Sequence, residues 1–187
     1  DARPEFAAAD LLSQAEHGDD SQAMLVCRSE EFARRAIASV GEQAMRLSRR
    51  DAIGNSLANS RIVVFSDPDE QIAFADAYAP EHLIVAMRDA WDAAARITAA
   101  GSVFIGGYSP ESAGDYASGT NHTLPTGGWA RAYSGVNTES FMRKITYQEL
   151  TRGGLEALAP TITAMAEAEG LDAHANAVRI RTEGGAR

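Results

Sequence analysis

Tyr78-Ala79-Pro80-Glu81-His82-Leu83-Ile84-Val85-Ala86-Met87 is the stretch on which the reading of this chain turns. Pro80 fixes its own φ and biases Ala79 away from helix. The apolar run at 83–87 follows at once and reads as a buried strand. Glu81 and His82 therefore stand where a loop enters a sheet, and loops held by a rigid scaffold are where chemistry concentrates. Taken alone, the pair reads equally well as a surface loop that merely contains a Glu and a His.

Outward from this stretch, short apolar runs alternate with amphipathic helices. Arg61-Ile62-Val63-Val64-Phe65 reads as a strand. Ser66-Asp67-Pro68-Asp69-Glu70 after it is an acidic helix start that suits the helix macrodipole, and that helix runs to about Tyr78. Farther upstream, Ala23-Met24-Leu25-Val26-Cys27 reads as a strand. Ser29 caps a long helix carrying Phe32, Ala33, Ala36, Ile37 and Val40, and a short helix surrounds 53–57. Pro4 suits the first turn of a helix that runs toward His17 and stops at Gly18. Downstream, Asp89 opens a helix through Trp91 and Ile97, closed by Gly101, and Ser102-Val103-Phe104-Ile105 is the next strand. Such alternation means βαβ units. The expected class is α/β: three layers, a mostly parallel sheet flanked by helices, an incomplete Rossmann-like arrangement with ligands at the carboxyl ends of strands.

The period breaks at 106–134, a long Gly-, Ser-, Thr- and Pro-rich segment of the kind that is usually functional. Phe141-Met142-Arg143-Lys144-Ile145-Thr146-Tyr147 reads as a further strand and 150–169 as helix, with a possible break at Gly153-Gly154. Gly170 ends that helix, a short one holding His174 follows, and 182–187 should fray. Two parts are expected: an α/β part-domain at 1–136 and a small, mainly helical C-terminal subdomain at 137–187.

The chain has 187 residues, 45% of them hydrophobic and 23% charged, enough for one real core or a domain with an appendage. A net charge of −9 argues against a polyanion partner, so no nucleic acid is expected. No apolar run reaches membrane-spanning length. The lone Cys27, inside an apolar run, reads as a buried thiol and fits a reducing cytosol, hence a cytoplasmic protein. The four histidines are scarce enough that each position is informative.

Gln14 and His17, three apart near a helix end, project from one face and could share a metal. They also read as a His on a helix C-terminus beside a solvated Gln. Asp115, between glycines and aromatics, is either an aimed carboxylate or a turn aspartate. His122 and His174 each lie near polar or acidic neighbours at a loop or helix end. Together, Gln, Asp and two His would make a mixed oxygen and nitrogen shell suited to a borderline divalent metal such as zinc. There is no Cys cluster, no His-Glu-x-x-His helix and no Gly-x-Gly-x-x-Gly fingerprint.

Four segments carry a resemblance over essentially the whole chain: Asp10-Leu11-Leu12-Ser13-Gln14-Ala15-Glu16-His17-Gly18, the Tyr78 to Leu83 stretch, Gly114-Asp115-Tyr116-Ala117-Ser118-Gly119-Thr120-Asn121-His122-Thr123-Leu124-Pro125-Thr126, and Glu169-Gly170-Leu171-Asp172-Ala173-His174. In order and spacing they resemble the histidinol dehydrogenases. The resemblance implies a zinc- and NAD-dependent oxidation of L-histidinol to L-histidinal and then to L-histidine. It implies Gln14, His17, Asp115 and His174 as zinc ligands that also meet the substrate, Glu81 and His82 as the catalytic pair, and His122 and Glu169 as substrate contacts. It further implies a homodimer in which the tail bearing the last His completes the neighbour's site. Roughly the first half of the family's chain, with most of the NAD-binding region, has no counterpart here. The expectation is therefore a fragment or one part of a split chain. The competing readings are a metal-binding or dimerisation module without activity of its own, and a zinc hydrolase using Glu81 as base.

Overall fold

The computed structural model describes residues 2–183; of the fraying expected at 182–187, Thr182 is still helical and 184–187 lie outside the described residues. The elements are α1 (Pro4–Ala15), β1 (Met24–Cys27), α2 (Glu30–Ala44), α3 (Arg50–Asn59), β2 (Arg61–Val64), α4 (Pro68–Tyr78), β3 (His82–Val85), α5 (Ala90–Ala94), β4 (Ser102–Ile105), α6 (Glu111–Tyr116), α7 (Arg152–Ala168) and α8 (Asp172–Thr182). One compact unit runs to Phe141 and a second begins at Met142.

In the first unit the strands pair in parallel, as the alternation of strand and helix requires. β1 lies on β2 from Met24↔Arg61 to Cys27↔Val64, and β3 lies on β4 from His82↔Ser102 to Val85↔Ile105. Among the described residues these form two separate pairs rather than one continuous sheet. Helices α2 and α3 bridge the first pair and α5 bridges the second.

Local chemistry starts the helices where the sequence indicates. Ser29 Oγ accepts from Phe32 N at 3.2 Å, and Asp67 Oδ1 accepts from Asp69 N at 2.9 Å. Pro4 and Pro68 occupy first turns. Apolar burial then sets the packing: Leu12 and Ala15 of α1 close on Ile53 of α3, with Val40, Leu47 and Leu57 around them. Val85, Ala90 and Ala93 form a second cluster with Ile72, Val103 and Ile105. Asp76 ties α4 to the turn before β4. Its carboxylate accepts from Thr98 N at 2.5 Å, Ala99 N at 2.9 Å and Thr98 Oγ1 at 2.9 Å, which holds its pKa below the ordinary value.

Several sequence expectations need correction. The 106–134 segment is not irregular throughout: Pro110, in extended conformation, opens α6, whose six residues are too few for a helical period to show. Phe141 ends a 3-10 turn, and 142–150 form no strand. Met142, Ile145 and Tyr147 are exposed there, and among the described residues no neighbouring strand supplies the ladder bonds a β segment needs. The strand after Glu81 begins at His82 and stops at Val85, so residues 86–87 leave the sheet. Helix α7 passes through Gly153-Gly154 unbroken, and Thr151 Oγ1 caps it by accepting from Gly154 N at 3.1 Å. Cys27 is a buried free thiol.

The second unit is a pair of helices, α7 and α8, turned at Gly170, whose φ is +73°. Leu171 N donates to Ala166 O at 2.8 Å across the turn. Ala166, Ala175 and Val178 are buried between the helices, and Arg179 pairs with Glu167.

Candidate active site

Three elements of the first unit bring ionisable side chains together. His17 follows the C-terminus of α1, one turn after Gln14, and its N–H reaches Gln14 O at 3.4 Å. His82 is the first residue of β3. The backbone before it is fixed by Ser102 N donating to Glu81 O and Gly101 N donating to Pro80 O, both at 2.9 Å. Ala79 does not take the extended backbone that Pro80 favours. It sits in the left-handed region, φ +54°, as the cap of α4, and is 1% exposed. Gly101 is required by proximity, because a Cβ there would lie 2.5 Å from Glu81 O.

Asp115 comes from α6, not from a turn. Gly114 beside it lets the helix press on the core: a Cβ at 114 would lie 2.5 Å from Phe104 Cε1 and 2.7 Å from Thr120 Oγ1. The Phe104 ring lies 6.0 Å, centroid to centroid, from the His82 imidazole. One small residue thus sets the distance between α6 and β4.

At the centre is Glu111, the first residue of α6, whose side chain is 3% exposed. Its Oε1 lies 3.3 Å from His17 Nε2 and 3.8 Å from His82 Nδ1. His82 Nε2 lies 3.8 Å from Asp115 Oδ1. Ligand atoms of His17, Glu111 and Asp115 all fall within 4.8 Å of one another. Both His82 ring nitrogens and Glu111 Oε1 are buried without a hydrogen-bond partner. Buried polar atoms of that kind are expensive unless something else meets them.

Burial sets the protonation of the pair. Desolvation pushes His82 below its ordinary value, with His17 adding to the effect and Asp115 opposing it, so the imidazole is neutral near pH 7. Desolvation also pushes Glu81 up, with Asp115 reinforcing and His17 opposing. Glu111 is raised in the same way. A neutral imidazole beside a carboxyl that holds its proton more tightly than usual is equipped for proton transfer.

Of the residues singled out from sequence, Glu81, His82, His17 and Asp115 converge. Gln14 lines the same open cavity, about 1520 Å³, as Glu81, His82 and Glu111. His122 is exposed on its loop, where Asn121 Oδ1 accepts from Thr123 N at 2.6 Å, and does not enter the cluster. Glu169 and His174 are exposed in the second unit, at the cap of α7 and the first turn of α8. Glu111 is the residue the sequence reading missed. The available signal was its position four before Asp115, one helical turn away, once Pro110 is read as a helix start.

The donor set fits a divalent cation. One imidazole and two carboxylates, one of them buried and unsatisfied, are zinc-type ligands. A parallel α/β scaffold presents this candidate cation site beside the half-buried Glu81–His82 pair. The chain belongs to the histidinol dehydrogenase family, whose family model, described as histidinol dehydrogenase, matches residues 1–182. It is 56% identical over 182 residues to a histidinol dehydrogenase of Bacteroides fragilis strain YCH46, covering 97% of this chain and 42% of that one. Against the enzyme of Aliivibrio fischeri the identity is 50%, with the same coverage. The crystal structure of histidinol dehydrogenase from Elizabethkingia anophelis superimposes with a TM-score of 0.91 at 50% identity, over 98% of this chain and 42% of that one. The chain thus spans about two-fifths of the length of the relatives it matches.

Proposed function

We propose that this chain carries the cation-binding and proton-transfer part of a histidinol dehydrogenase, an oxidoreductase that converts L-histidinol to L-histidine through L-histidinal. The observation that carries the reading is the convergence of His17 and Asp115 on the half-buried Glu81–His82 pair. His17 and Asp115 would hold zinc in the first unit. Family likeness adds Gln14 and His174 as further ligands, His122 and Glu169 as substrate contacts, and a site shared across a homodimer. When bound, zinc would orient the imidazole and amine of the substrate, and NAD would accept the hydride.

The chain's own residues then move protons. His82, neutral and held by β3, takes the proton of the alcohol as the carbon is oxidised. Glu81, next to it on the same backbone, draws a water proton as that water adds to the aldehyde, and His82 takes up the proton released in the second oxidation. One site for both steps keeps the reactive aldehyde from escaping. Residues that supply most of the NAD contacts belong to the part of the family chain without a counterpart here, so NAD-dependent turnover depends on that part as well. The buried Cys27 thiol agrees with a reducing, cytoplasmic setting.

The test is turnover of L-histidinol with NAD by the chain alone and in company with an N-terminal half from a relative. L-Histidine and NADH should form only in the second case. Failure to oxidise L-histidinol under any pairing, with zinc bound, would reject the assignment.

A further inference from the structure

On the reading that Glu81 and His82 move the protons, we propose that Arg131 is a positioning residue for that pair, acting by clamping the strained cap of α4 at Ala79. Arg131 lies outside the four segments that carry the resemblance and outside the cation cluster.

The backbone that leads into Glu81 is strained. Among the described residues Ala79 is the one non-glycine with positive φ, +54°, and it stands two residues before Glu81. A residue with a Cβ keeps that conformation only where its surroundings hold it there, and such strain gathers at functional sites. Pro80 supplies part of the cause, since a residue before proline is disfavoured in the right-handed helical region and α4 cannot simply run on. A clasp formed by residues 123–136 supplies the rest.

Arg131 is the polar half of the clasp. Its Nη2 donates to Ala77 O, a carbonyl in the last turn of α4, and its Nη1 donates to Gly128 O at 3.3 Å. Carbonyls at a helix C-terminus lack partners within the helix, and a cation there also suits the macrodipole. Gly128, at φ +80°, leaves room for the guanidinium, because a Cβ there would lie 2.8 Å from Nη1. Ala130 is the apolar half: it forms a buried cluster with Ala79 and Ala99. Farther along, Leu124 packs on Gly101, where a Cβ would lie 3.2 Å from Leu124 Cβ, and Val136 N donates to Thr123 O at 3.0 Å, which closes the segment into a loop. Since Gly101 N and Ser102 N hold Pro80 O and Glu81 O, the clasp grips the turn from Ala79 and from Gly101 at once. Release of Arg131 would let Ala79 relax out of the left-handed region, and the carboxyl and imidazole that follow would move with it.

Amide hydrogen exchange on the full chain, followed residue by residue by NMR, tests the clamp without turnover. In Arg131→Ala the amides of Ala79, Gly101 and Ser102, which donate to Ala75 O, Pro80 O and Glu81 O, should exchange about fivefold faster or more, the loss of about one net hydrogen bond. Gly106 N, which donates to Val85 O at the far end of the same strand pair, should keep its native rate. Arg131→Lys should recover part of the protection. Native rates at the three amides in folded Arg131→Ala would overturn the proposal, and so would an equal acceleration at Gly106, the mark of general loosening. The second arm uses the complete enzyme formed with the N-terminal half of a relative. Arg131→Ala should lower kcat by about 10- to 100-fold with KM for L-histidinol and zinc affinity near native. Ala79→Gly removes the cost of the left-handed backbone together with the methyl that Ala130 holds, so its melting temperature should stay near native while kcat falls. Native kcat in either folded variant overturns the proposal, and should Arg131→Ala not fold, Ala79→Gly carries both readouts. If the native complex fails to oxidise L-histidinol, the reading of Glu81 and His82 falls instead, and the exchange rates still decide the role of Arg131.

Discussion

Gly114→Ala tests how the site is held. The added methyl would meet Phe104 Cε1 at 2.5 Å, Thr120 Oγ1 at 2.7 Å and Phe104 Cζ at 2.8 Å. Ordinary carbon contacts fall at about 3.5–4.0 Å, so about 1 Å must be made up. Phe104 is 7% exposed, in β4, and its ring faces His82, so it has little room to yield. Overpacking of this kind costs about 1–3 kcal/mol, against a gain of about 1 kcal/mol for Ala over Gly in a helix. The net loss of stability should be about 0–2 kcal/mol, a small effect. The larger effect is on the site, because α6 carries Glu111 and Asp115 away with it. Metal bonds tolerate about 0.2 Å, so a shift near 1 Å should weaken zinc binding by about tenfold or more. Zinc titrated against a chromogenic chelator measures the affinity, and thermal unfolding measures the stability. Native affinity in a folded Gly114→Ala protein would refute the claim that the packing of α6 on Phe104 sets the ligand spacing.

Other perturbations have distinct signatures. Gly101→Ala drives a Cβ to 2.5 Å from Glu81 O, which cannot rotate away, so turnover in the complete enzyme should fall while zinc affinity is largely kept. Asp10 has its carboxyl pushed up to about 6 by burial, so its protonated form favours the folded state below about pH 4 and that contribution is lost as pH rises through 6. Asp10→Asn should therefore raise the melting temperature at pH 7.5 but not at pH 3.5, and an equal shift at both would contradict the burial argument. Asp76→Ala removes the acceptor for two backbone N–H groups and one hydroxyl, and should cost about 1–2 kcal/mol at neutral pH. Because the Asp76 pKa is lowered, that loss should be present above about pH 4 and shrink as pH falls through its folded value, as urea denaturation at several pH values would show.

The strands and long helices were legible because each carries its own signal. Residues 24–27, 61–64 and 102–105 are short apolar runs, and Ser29, Asp67 and the prolines at 4 and 68 mark helix starts. Pairing was only partly legible, since parallel register depends on which helix packs on which face, and nothing local to 61–65 or 83–87 tells whether they join. At 141–147 the apolar residues misled, because a strand needs a neighbour as well as a propensity. His17, Glu81, His82 and Asp115 were each ambiguous alone, and it was their joint occurrence and the family resemblance that picked them out. Glu111 was not picked out, because a glutamate at a two-turn helix is ordinary until the fold buries it between two histidines. The turn alternative for Asp115 stayed open for a related cause: α6 is held by Phe104 and Gly114, a tertiary contact.

The most direct measurement is the equilibrium zinc affinity of His17→Ala beside that of His82→Asn. The account predicts that His17→Ala loses zinc by orders of magnitude while His82→Asn binds it like the native protein and fails only in turnover of the complete enzyme. Zinc retained by His17→Ala and lost by His82→Asn would contradict it.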